Sequence, residues 1–131
     1  MSFEQRVREI AREDGRFTPD AFIFLHEALG YTVRLFNKEE AELEEERHVT
    51  GRELYQGLEA LAKSQFGPLA ANVWATWGIK EPLDWGHVVF LLVEGQILRS
   101  RPEDTVEDFR LEADFEKAFV TDYEVPEIDG D

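Results

Sequence analysis

Apolar residues near the start of the chain recur at helical spacing. Phe3, Val7, Ile10 and Ala11 share one side, while Glu4, Arg6, Arg8, Glu9 and Arg12 fill the rest. The pattern predicts a short amphipathic helix from Phe3 to about Glu13, ended near Gly15. The next run, FTPDAFIFLHEALGYTVRLF, is apolar on two sides: Phe22, Leu25, Leu29, Val33 and Phe36 gather on one, and Phe24, Ala28, Tyr31 and Leu35 nearly opposite. A helix with two apolar faces sits between other elements, so this one belongs at the centre of a core. Thr18 is its expected N-cap, and Pro19 takes the first helical position, where a missing N–H costs nothing.

Six Glu crowd the eight residues from Glu39 to Glu46, a pattern expected of a solvated loop or helix end rather than a cation site, since no Gly-bearing loop of EF-hand spacing accompanies them. Arg47, His48 and Val49 suit a short strand. Thr50 followed by Glu53 is a capping box that starts a third helix, with Leu54, Leu58 and Leu61 inward and Gly67 as its stop. Pro68 opens a further helix, PLAANVWATW, with Leu69, Val73 and Trp77 at intervals of four and Gly78 just past its end. Asp84 is the candidate N-cap of WGHVVFLLVE. Val88 to Val93 is an unbroken apolar run that suits a buried strand as well as a helix, and the length to Gly95 favours helix.

Beyond it, Ile97 to Ser100 reads as a short strand. Phe109, Leu111, Ala113 and Phe115 alternate with Arg110, Glu112, Asp114 and Glu116, which predicts a half-buried strand. A helix competes there, because Leu111, Phe115, Ala118 and Phe119 also share a helical face. The order of W-G-I, spacer, helix and G-x-I-L-R-S matches the succession of second helix, recognition helix and wing strand in winged-helix domains. The expected architecture is therefore mainly α: one helical bundle with a small winged-helix-like β-sheet (α+β) over residues 1–120, then an acidic tail over 121–131.

Charge bears on partners. The 131 residues carry 29 acids against 14 Lys and Arg, a formal net charge of −15, and from Glu103 to Asp131 twelve acids face two bases, Arg110 and Lys117. A field of that sign repels nucleic acid and anionic lipid and favours basic or neutral partners, or serves solubility alone. The recognition-helix position, Asp84 to Glu94, has no Lys or Arg to offer a phosphate backbone, and the acids after Glu103 outweigh Arg99 and Arg101. Nucleic acid is accordingly not an expected partner. The charged N-terminus and the lack of a long apolar run predict a soluble, cytoplasmic protein without a membrane association. With no Cys there are no disulfides and no thiolate chemistry.

Catalytic signals are weak. His26, His48 and His87 are dispersed, and His26-Glu27 meets Gly30 where an H-E-x-x-H zinc motif needs its second His. Neither a G-x-S-x-G elbow nor a phosphate-binding glycine loop occurs. No catalytic, cofactor or metal site is assigned. The run HVTGRELYQGLEALAKSQFGPLAANVWATWGIKEPLDWGHVVFLLVEGQILRSRPEDTVEDF resembles an uncharacterised family of small bacterial proteins met chiefly in planctomycetes and verrucomicrobia. It shares their V-T-G-x-E-L start, Q-F-G-P-L-A turn, W-G-I and late D-F, and the upstream Ala28 to Val33 also matches. The resemblance implies no ligand, activity or site residue.

These observations favour a non-enzymatic protein–protein interaction or adapter module, pairing with another protein or a second copy. The candidate contact residues are Trp74, Trp77 and Trp85 of the helical hairpin and Tyr123 and Ile128 of the tail. A DNA-associated regulator or acidic DNA mimic, and a small hydrolase with an unrecognised site, are the alternatives from other classes.

Overall fold

A computed structural model of the chain describes residues 2–36 and 49–98, and within them the regular structure is helical. Five α-helices succeed one another: α1 (Phe3–Asp14), α2 (Pro19–Leu35), α3 (Gly51–Phe66), α4 (Ala70–Thr76) and α5 (Pro82–Glu94), with a single 3₁₀ turn, Gly67–Leu69, between α3 and α4. α2 runs through the middle, packing on α1, α3 and α5, and its most extensive partner is α3. Its two apolar sides explain that position: Phe22 and Leu25, with Phe24 and Ala28, are all buried.

The helix starts obey local chemistry. At α1, Ser2 and Gln5 exchange side-chain and backbone bonds in a capping box, and Thr50 and Glu53 do the same at α3. Thr18 occupies the N-cap of α2, but its hydroxyl makes no capping bond and is buried without a hydrogen-bond partner among the described residues. α5 begins at Pro82, earlier than the spacing suggested, because Glu81 rather than Asp84 is its N-cap. Asp84 instead reaches back, accepting from the amides of Lys80 at 2.8 Å and Glu81 at 3.1 Å. That start turns Trp85, Val88 and Leu92 inward.

The chain leaves α4 through a Schellman cap. Gly78 sits in the left-handed region at φ 94°, and the Ile79 amide donates back to the Trp74 carbonyl at 2.9 Å, driving the Ile79 side chain into the core. A side chain is doubly excluded at Gly78, since a Cβ there would lie 2.3 Å from the Arg16 carbonyl oxygen.

The winged-helix expectation is overturned. Among the described residues there is no strand, and the wing does not start where the sequence pattern put it. The reason is a second Schellman cap at the end of α5: Gln96 takes φ 62°, and the amides of Ile97 and Leu98 both donate to the Leu92 carbonyl, at 2.9 and 3.2 Å. Those amides finish a helix and are not free to open a ladder. Both side chains pack against the core instead of alternating across a sheet. Val49 likewise packs on the core without strand structure. The expected strand over 109–116, the domain limit near residue 120 and the acidic run 39–46 lie outside the described residues.

Candidate functional site

The tryptophans form the centre of the fold. Trp74 and Trp85 are fully buried, their rings 5.1 Å apart and edge-on. Phe24 of α2 touches them and Trp77, with ring centroids 6.2, 6.0 and 5.3 Å away, and Phe66 closes the cluster from α3. Edge-to-face and tilted aromatic pairs of this kind add about 0.5–1.5 kcal/mol each beyond the area they bury. Trp74 and Trp85 are thus core residues, unavailable to a partner, and Trp77 lies half-buried against them. Tyr123 and Ile128 lie outside the described residues.

Among the exposed large apolar side chains, Phe90 is the one on α5. The buried side of this helix holds Trp85, Val88 and Leu92. On the other side Leu83, His87, Phe90 and Glu94 succeed one another at helical intervals, with Leu91 and Val93 partly exposed beside them; Leu83 and Leu91 are half-buried and also pack against the core. Phe90 is 50% exposed. α5 thus carries an exposed aromatic on its outer side in addition to the residues its inner side buries. The other exposed large apolar side chains are Ile23, whose exposed sequence neighbours are Asp20, His26 and Glu27, Leu35 at the end of α2 next to the exposed Arg34, and Leu69 on the 3₁₀ turn. The sequence signal for the α5 face was the unbroken run Val88 to Val93, which tryptophan, as the commoner interface residue, outweighed.

Ionisable groups gather at the corner where α1 ends. The Arg16 guanidinium binds both carboxylate oxygens of Asp14, with its closest contact at 2.8 Å, while the Arg16 amide donates to the same group at 3.1 Å. These bonds hold the Asp14 carboxyl below its ordinary pKa against the opposing effect of burial, and the positive field of nearby His87 adds to them; Arg16 is raised in return. The arrangement locks the loop into α2 and leaves Asp14 engaged as an acceptor rather than free for acid–base chemistry. Among the described residues no group of His, Asp or Glu is spaced to hold a metal ion, and no helix is long and apolar enough to cross a membrane. α5 carries neither Lys nor Arg, and the side chains that a recognition helix would present are partly sunk in the core.

The helical body is close to electrical balance. Residues 2–36 and 49–98 hold eleven acids and eight bases, a net −3, so most of the chain's −15 belongs to 37–48 and 99–131. Phe90 therefore stands exposed between His87 and Glu94 on a nearly neutral body. Comparison of the chain with family models, with curated proteins and with solved structures gave no match.

Proposed function

We propose that the protein is a non-enzymatic protein–protein interaction module whose docking surface is the outer side of α5, around Leu83, Phe90 and Leu91. The observation that carries this reading is the half-exposed Phe90, placed on a helix whose inner side already fills the core. Aromatic side chains on a rigid helix make strong anchors because little conformational freedom is lost when they are covered. The scarcity of charge on this strip, where His87 and Glu94 are the ionisable groups, favours a protein surface over a phosphate backbone.

The test is affinity capture from the native extract with wild type, Phe90→Asp and, as a control for any exposed leucine, Leu69→Asp. Because both positions face solvent, each substitution costs about 1 kcal/mol or less in stability, verified by thermal unfolding. The reading expects a protein that is captured by wild type and Leu69→Asp and lost with Phe90→Asp. An identical captured set from all three contradicts it.

A further inference from the structure

We infer that α1 is a strap over the C-terminal end of α5, and that the two open together, as one unit, ahead of the rest of the fold. The inference does not depend on a partner at Phe90.

The end of α5 lacks what the ends of the other long helices have. α1, α2 and α3 each place a base in the last turn, Arg12, Arg34 and Lys63, against the negative end of the helix dipole. α5 places none there, and its last residue is Glu94, which adds to that negative end. Its cap also holds Gln96 at φ 62°, so that the amides of Ile97 and Leu98 reach the Leu92 carbonyl. The missing cation arrives from α1. The half-buried Arg6 donates from Nη2 to the Gly95 carbonyl, within the cap itself. Ile10, one turn further along α1, closes on the same residue: a Cβ on Gly95 would lie 2.7 Å from Ile10 Cδ1, so the strap rests on bare backbone. A charge and an apolar side chain of α1 therefore both bear on a cap that α5 itself leaves without a cation.

Of the four long helices, α1 costs least to lift. It buries Val7 and Ala11, whereas α2 and α3 bury six residues each and α5 buries five. The link to α2 stays with the core, because Phe17 is buried and the Thr18 amide donates to the Trp77 carbonyl at 3.1 Å. The hinge thus falls at Gly15, in the left-handed region at φ 80°. An element with few buried side chains opens locally before the core does. Lifting α1 takes Arg6 and Ile10 off Gly95 and leaves the dipole end beside Glu94 alone, so the last turn of α5 is released in the same event, with Ile97 and Leu98.

Hydrogen exchange of the full chain, read amide by amide under native conditions, tests this coupling. In wild type the amides of Ile10 and Ala11 and those of Gly95, Gln96, Ile97 and Leu98 are expected to share one opening equilibrium, more frequent than that of Leu58 and Leu61 in α3. Arg6→Met keeps an aliphatic stem and removes the donor, and should speed exchange in both groups about tenfold while α3 is unchanged. Arg8→Met, at an exposed position of the same helix, should leave residues 95–98 as they are. Phe3→Ala loosens α1 elsewhere, at the ring contact with His26 of α2 (4.6 Å), and should speed residues 95–98 by the same factor as Ile10 and Ala11. If Phe3→Ala accelerates α1 while residues 95–98 keep their wild-type exchange, the strap is refuted. An unchanged 95–98 in Arg6→Met, an equal effect of Arg8→Met there, or a matching acceleration of α3 in either loosening variant overturns it as well, the last because the whole fold would then be opening at once.

Discussion

The crossing of α2 and α3 offers a sharp test of the packing, through Gly57→Ala. Gly57 faces Thr32, which is fully buried and donates its hydroxyl to the Ala28 carbonyl at 2.7 Å. A Cβ on Gly57 would lie 1.8 Å from Thr32 Oγ1, 2.9 Å from its Cβ and 3.3 Å from its Cγ2. Rotating Thr32 removes the first clash at the loss of its hydrogen bond, worth about 1 kcal/mol. It cannot relieve the second, because Cβ is fixed by the backbone. The two helices must therefore part, and forced overpacking costs about 1–3 kcal/mol, against which alanine regains about 1 kcal/mol of helix propensity. A net loss of about 2 kcal/mol is expected, a large share of the roughly 5–15 kcal/mol that holds a domain together. Urea unfolding monitored by tryptophan emission measures it, since Trp74 and Trp85 are buried in the folded state. Thr32→Ala in the same background should restore part of the loss, giving a non-additive cycle. A Gly57→Ala protein as stable as wild type, or a double variant whose losses simply add, refutes the close crossing.

Other consequences are more local. Among the described residues Gln96 is the non-glycine residue in the left-handed region, so Gln96→Gly should stabilise the protein by about 0.5–1 kcal/mol, read as a higher urea midpoint; destabilisation would contradict the cap described at the end of α5. Tyr55 is buried with no hydrogen-bond partner for its hydroxyl among the described residues, and burial pushes its pKa up, aided by the negative field of Glu59. Burial thus disfavours the phenolate, so stability falls as pH rises beyond the ordinary tyrosine pKa near 10; Tyr55→Phe, which removes a buried unpaired hydroxyl, should leave stability at neutral pH unchanged or raise it by up to about 1 kcal/mol and flatten that alkaline limb. An unchanged alkaline limb would count against this burial. For Asp14 the sign reverses: its lowered pKa gives stability that is present above the ordinary carboxylate value near 4 and fades as pH falls below it, and Asp14→Asn should shrink that acid limb. The ion pair's contribution is small, because the Arg16 side chain is half-exposed and screened by solvent.

Much of the helical framework was legible in the chain. The period of Phe3, Val7, Ile10 and Ala11, the two-sided run of α2 and the Thr50–Glu53 box all correspond to observed elements, because capping and amphipathicity are local signals. The end of α5 was not legible, for a physical reason. Termination there uses Gln96 in a conformation usually left to glycine, so Ile97 and Leu98 looked available for a strand. The tryptophans misled for a different reason: an indole serves a core or an interface equally well, and only the packing of Phe24 between Trp74, Trp77 and Trp85 decides between them. Phe90 was hidden in the opposite way, inside an apolar run that reads as uniformly buried until Glu81 fixes the rotation of α5.

The most direct measurement is site-specific photo-crosslinking from position 90. A benzophenone attached to Phe90→Cys, the sole thiol in the chain, would be irradiated in native extract beside the same label on Leu69→Cys. A discrete protein adduct formed at 90 and missing at 69 is the predicted result; the same set of products from both positions, or none from 90, contradicts a docking surface on α5.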